Sequence, residues 1–114
     1  MCRVLYVGSE PTLADLASRI IKKYGYDVSY ITSLAEKICF KPDLILFDCD
    51  MSPAFGLEKY KSIITRFSDA AILWISSSEN DEVQALEAGA DDWVKKPLKM
   101  DVLLARMKKL VKNL

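Results

Sequence analysis

Asp48, Ser76 and Lys96 are a carboxylate, a hydroxyl and an amine, and each stands at the end of a short apolar run. Asp48 closes the run in "DLILFDCDMSPAFGLE", Ser76 closes "AILWIS", and Lys96 follows Trp93-Val94 and precedes Pro97. A carboxylate can serve as nucleophile or cation ligand, an amine can place positive charge beside an anion, and a hydroxyl can donate to either. Each also has a plainer reading. Asp48 can cap the loop that follows it, and Ser76 can bond its own local backbone. Lys96, held extended by Pro97, can be a solvated surface charge. Gly8, Ser9 and Glu10, then Asp50, Ser77, Ser78 and Lys95, occupy comparable run-end positions.

The runs themselves read as strands. Residues 2–7, 43–47 and 70–75 are nearly continuous apolar stretches, as strands buried on both faces of a parallel sheet should be. Residues 27–31 alternate apolar and polar, which suits a half-covered edge strand, and Trp93-Val94 is a short last strand. Helical stripes lie between them. Leu13, Leu16, Ala17, Ile20, Ile21 and Tyr24 recur at three- and four-residue spacing behind Pro11 and ahead of Gly25. Leu57, Tyr60, Ile64 and Phe67 repeat the pattern, as do Leu103, Met107, Leu110, Val111 and Leu114, with Lys108, Lys109 and Lys112 toward the last stripe's end. Shorter helices are expected at Leu34–Phe40 and Asp81–Ala88. Five β-α alternations predict a doubly wound flavodoxin-like (βα)5 fold, an α/β class with parallel strands and helices on both faces. In such a sheet, ligands and reactive groups gather at the carboxyl ends of the strands, where the candidates stand.

Totals narrow the function. The 114 residues are expected to form a single domain, either ending naturally on an amphipathic helix or standing as the N-terminal part of a longer protein. Sixteen basic and sixteen acidic residues cancel, so no overall field points to direct nucleic-acid binding or an anionic membrane. No histidine is present, which removes imidazole acid–base catalysis and phosphohistidine chemistry within the chain. Three scattered cysteines without a CxxC pair argue for a reducing compartment. Cys49 is either a redox handle or a buried thiol. No signal peptide or membrane-length apolar stretch is seen, and a cytoplasmic protein is expected.

Taken together, the strand ends resemble the response-regulator receiver domain over essentially the whole chain. The resemblance rests on the run ending in Asp48 with Gly56 eight positions on, on Ser76 closing the fourth strand, and on "QALEAGADDWVKKPL" at residues 84–98. It implies sheet order 2-1-3-4-5 and a phosphorelay signalling role rather than an enzyme. Asp48 falls at the phosphoacceptor position, Ser76 at the switch hydroxyl and Lys96 at the phosphate-pairing lysine. Trp93 falls at the switch aromatic, and the bond before Pro97 is cis in the family. The implied partners are a histidine kinase or phosphotransfer protein and an output domain or partner protein. The output face is made by the fourth helical stretch, the fifth strand and the last helix, and a homodimer is one assembly open to it. Phosphoryl transfer needs an in-line nucleophile with positive charge around the phosphoryl oxygens, which Asp48 and Lys96 can supply in part.

One corner departs from the pattern. The family carries two adjacent acids at the end of strand one, where they hold a divalent cation; here those positions are Gly8 and Ser9. Mg2+ is a hard ion that binds through carboxylates, water and phosphate oxygens. Of the usual set only Asp48 remains, with Asp50 and the more distant Glu10 as possible substitutes, so Mg2+ binding is expected to be weak. Asp50 can equally be a solvated loop acid, and Glu10 can belong to the first turn of helix one. Without acidic neighbours, Asp48 is free to pair directly with Lys96. Trp93 can be a rigid anchor instead of a rotating switch, because its indole N–H wants a partner. The functional classes are therefore a phosphorylatable receiver and, as the alternative, a phosphorylation-independent pseudo-receiver acting as an interaction module. A small-molecule site on the same scaffold is disfavoured, because no glycine-rich phosphate cradle follows strand one.

Overall fold

Side-chain alternation along each strand divides the core in two. The computed structural model describes residues 2–50 and 55–111; Lys112, Leu114 and part of the loop after Asp48 lie outside them. Strands β1 (Arg3–Gly8), β2 (Asp27–Ile31), β3 (Leu44–Asp48), β4 (Ala71–Ser76) and β5 (Asp92–Lys95) pair in parallel in the order β2-β1-β3-β4-β5. Four helices are found among the described residues: α1 (Pro11–Lys22), α2 (Phe55–Arg66), α3 (Asp81–Glu87) and α4 (Met100–Val111). This is the expected doubly wound flavodoxin-like sheet, with each predicted strand found within two residues of its expected ends.

Val4 and Tyr6, Leu44 and Leu46, Leu73 and Ile75, and Val94 point to one face, where Ala14, Ala17 and Ile21 of α1 and Leu103 and Met107 of α4 cover them. Leu5 and Val7, Ile45 and Phe47, Ile72 and Trp74, and Trp93 point to the other, against Tyr60 and Ile63 of α2 and Ala85 of α3. The period of two is that of a pleated strand. It explains why β1, β3 and β4 are apolar almost throughout: neither face meets water. Each large aliphatic side chain so buried contributes about 1.5–3 kcal/mol. Trp74 sits centrally in the second layer, stacked on Tyr60 with ring centroids 4.9 Å apart, and its indole N–H donates to the Cys49 carbonyl at 2.7 Å.

One predicted element is absent. Residues 34–40 form a turn and irregular chain instead of the expected helix, so three of the four strand-to-strand crossovers are helical and the β2–β3 connection is not. The cause is competition for backbone groups. The Glu36 carboxylate reaches back to the Thr32 and Ser33 amides, at 2.7 and 3.1 Å, and holds a tight turn. Arg66 of α2 donates to the carbonyls of Leu34 and Glu36, at 2.9 and 2.7 Å, which a helix would have paired with its own amides. In α1 the predicted stripe runs only to Lys22; Tyr24 lies beyond the helix and is exposed.

The "AGADDW" stretch is a mechanical joint. Gly89 has φ +110°, a conformation that residues with a side chain rarely adopt, and it turns the chain from α3 into β5. Asp91 then accepts the Ile72 amide at 2.7 Å while its own amide donates to the Ile72 carbonyl, fastening the turn to β4. Arg106 Nη1 of α4 donates to both carboxylate oxygens of Asp92, each at 3.1 Å. The joint fixes where Trp93 and Lys96 emerge.

Candidate functional site

The β1–β3 register sets Gly8 directly opposite Asp48, and Tyr6 opposite Leu46. By the pleat, Tyr6, Gly8 and Asp48 belong to one row. Asp48 is buried at the lip of β3, and both of its carboxylate oxygens are engaged. Lys96 Nζ forms an ion pair with Oδ1, and the Tyr6 hydroxyl donates to Oδ2 at 2.5 Å. The lysine side chain is about one quarter exposed, whereas Tyr6 is wholly buried. Burial, then the bond to Asp48, then the Asp48 charge push the Tyr6 hydroxyl far above its ordinary range, so it stays a neutral donor.

Ser76 and Trp93 belong to the opposite row. The Trp93 indole N–H donates to Ser76 Oγ at 2.8 Å, and both residues are buried. The indole is therefore turned inward, its N–H satisfied by the Ser76 hydroxyl. Lys96 joins the two rows. Its amide donates to the Ser76 carbonyl at 2.8 Å while its ammonium pairs with Asp48 on the other side. The Lys96–Pro97 peptide bond is cis, as the resemblance implied.

A cleft of about 500 Å³ opens over these strand ends, lined by Gly8, Ser9, Glu10, Asp48, Asp50, Lys59 and Lys96 among others. Glu10 occupies the N-cap of α1, is exposed and makes no side-chain cap bond. Asp50 is exposed and turned to the β4 loop, where its carboxylate accepts the Ser77 amide at 2.7 Å. Asp48, Ser76, Lys96 and Trp93 thus lie in one linked cluster, and Glu10 and Asp50 share the cleft without bonding to it. Burial pushes the half-buried Cys49 thiol up, the Lys59 charge opposing, which leaves it a protonated thiol near neutral pH.

The donor set does not fit a hard divalent cation. The position opposite Asp48 has no side chain, Oδ2 is taken by a hydroxyl, and Oδ1 is taken by an ammonium. No group of three His, Cys, Asp or Glu among the described residues is arranged to hold a metal ion. Tyr6 was not legible as a site residue, because an aromatic inside an apolar run reads as core. The one available signal was its position two residues before Gly8, on the same face of the strand. Lys59, on the exposed side of α2, had no distinguishing signal.

A parallel doubly wound sheet with a buried aspartate, a lysine and a hydroxyl gathered at its carboxyl edge is the arrangement of a receiver module of two-component signalling. The response regulator receiver domain model matches residues 4–108, and the chain belongs to that family. It is similar to two Bacillus subtilis proteins described as the uncharacterized transcriptional regulatory protein YvcP (34% identical) and the transcriptional regulatory protein YxdJ (30% identical). Each match takes in 99% of this chain, yet the chain spans only about half of each relative, 50% and 52%. Among solved structures it resembles the receiver domain of the TMAO respiratory regulator TorR, with TM-score 0.80, 27% identity, and 99% and 98% of the two chains covered. The Thermotoga maritima response regulator TrrA, solved with Mg2+ and BeF, superposes with TM-score 0.79 at 26% identity over 96% and 99% of the chains.

Proposed function

We propose that this chain is a two-component signal receiver whose acceptor corner is stable without metal or phosphate and whose output passes by protein contact. One observation carries the reading: Lys96 and Tyr6 between them occupy both oxygens of Asp48, opposite a residue with no side chain. Positive charge already sits where a phosphoryl group would bring the lysine, and Trp93 is already bonded to Ser76. The site therefore has the internal pairing of a switched state without a ligand to impose it.

The output surface is α3, β5 and α4, the face expected from the sequence once the missing helix is discounted. Val83, Leu86 and Val102 are exposed on those two helices, as suits a docking surface. The relatives described as transcriptional regulators suggest a transcriptional output, in the same chain or on a partner, in the cytoplasm.

A second reading is favoured by the gathering of Asp48, Ser76 and Lys96 in one cluster. In it an Asp48 oxygen attacks the phosphorus of a phosphohistidine on a kinase or phosphotransfer protein. The P–N bond breaks as the P–O bond forms, and Lys96 moves from the carboxylate to the phosphoryl oxygens.

Titration with Mg2+ and beryllofluoride, followed by the Trp74 and Trp93 indole N–H resonances, separates the two. No saturable shift of either resonance is expected. A saturable shift at low-millimolar metal that disappears in Asp48→Ala would overturn the first reading and establish the second.

A further inference from the structure

We infer that Tyr6 and Gly8 are a single device, a tyrosine that takes the place of a cation at Asp48 and requires glycine opposite the aspartate to do so. The inference rests on the metal-free reading above and names the residues responsible for it.

The steric half of the argument is direct. A Cβ placed on Gly8 would lie 3.0 Å from the Tyr6 ring at Cε1, and 3.4 and 3.6 Å from Cβ and Oδ2 of Asp48. Carbon atoms in proteins rarely approach so closely, and the obstacle is a wholly buried ring in a packed layer, not the loose end of a flexible chain. The edge of the tyrosine ring lies 3.0 Å from where the side chain of residue 8 would begin, so any side chain there must push a buried ring aside. Loss of the acid alone does not call for this, since alanine, serine or asparagine would also remove the charge. A corner already filled by a neighbour's ring calls for glycine.

The electrostatic half concerns Oδ2. The Tyr6 hydroxyl satisfies that oxygen with a neutral donor, and Lys96 neutralises the carboxylate through Oδ1. A cation approaching Asp48 must displace a buried hydrogen bond and an ion pair, while of the cleft's other carboxylates Asp50 is turned to the Ser77 amide and Glu10 is exposed on the N-cap of α1. Tyr6 is accordingly a specificity-determining residue: it excludes the ion and orients the acceptor carboxylate.

The experiment uses Mn2+ alone on the full chain as wild type, Tyr6→Val, Gly8→Asp and the Tyr6→Val/Gly8→Asp pair. Affinity is read from paramagnetic broadening of the Cys49 and Lys96 amides, and folding from the thermal midpoint. Gly8→Asp alone is expected to lower the midpoint and to bind no better than wild type. The paired variant is expected to recover part of that midpoint and to bind Mn2+ about tenfold tighter than either single change, a non-additivity that independent sites do not show. Tyr6→Phe/Gly8→Asp, which keeps the ring, should stay as weak as Gly8→Asp. The inference is overturned if the paired variant binds no tighter than Gly8→Asp, or if Gly8→Asp alone keeps the wild-type midpoint and binds as tightly as the pair. These ratios decide the roles of Tyr6 and Gly8. Whether wild type itself saturates at low-millimolar metal decides the metal-free reading separately.

Discussion

At the scale of the residue, Asp48 behaves here as a carboxylate with its needs met. An aspartate crowded by other acids is relieved when it is removed; one paired with a lysine and a tyrosine hydroxyl is missed. Asp48→Ala leaves the Lys96 ammonium without its anion and the buried Tyr6 hydroxyl without its acceptor. Breaking a mostly buried pair from one side costs about 3–5 kcal/mol, and the quarter exposure of the lysine puts this case at the lower end. The expected outcome is a loss of about 3 kcal/mol in urea unfolding with the m-value unchanged. An increase in stability would mean that the pairing does not hold Asp48 in solution. The positions of Asp48, Ser76 and Lys96 at one edge of the sheet were legible because polar groups at the ends of buried strands stand out against their runs. The partner of Asp48 was not, because a hydroxyl at the tip of a core aromatic leaves no trace in an apolar pattern.

At the scale of the element, the strands were legible for a definite reason: burial on both faces leaves β1, β3 and β4 no room for polar residues. Even the four-residue β5 showed, through Trp93 and Val94. The turn at 33–36 did not, because its conformation is decided by a side chain on another element. Arg66 donates to two carbonyls 32 and 30 residues back along the chain, and local helical spacing carries no information about that. Arg66→Ala should therefore act locally. The amides of Thr32, Ser33 and Ala35 are expected to exchange faster with solvent, while global stability falls by only about 1 kcal/mol, since the bonds lost lie at the surface. Native-state hydrogen exchange resolves the two effects. Equal acceleration across β1 and β3 would show that the turn is not an independent unit. Because Thr32 and Ser33 line the same cleft as Asp48, loosening it should also widen access to the acceptor corner.

At the scale of the whole molecule, protons bound at alkaline pH link the acceptor corner to stability. Burial comes first among the causes that raise the Tyr6, Tyr26 and Tyr60 hydroxyls above 10.0 and the Cys2 and Cys49 thiols above 9.0. Each group holds its proton more tightly folded than unfolded. Below the unfolded value both states are protonated and stability is fully present. Above it the unfolded chain releases a proton that the folded chain retains, so stability falls as pH rises toward the folded value. The decline should begin near pH 9 with the thiols and steepen beyond pH 10 with the tyrosines. Tyr6 dominates the steep part, being wholly buried and bonded to a carboxylate. Tyr6→Phe costs about 1–3 kcal/mol at pH 8 by leaving Asp48 Oδ2 without its donor. It also removes a slope of about 1.4 kcal/mol per pH unit above pH 10. Urea unfolding of the two proteins at pH 8, 9, 10 and 11 should show curves that run parallel to pH 10 and then converge. A gap that stays constant to pH 11 would mean that Tyr6 ionises as readily folded as unfolded, and that its hydroxyl is not sealed against Asp48.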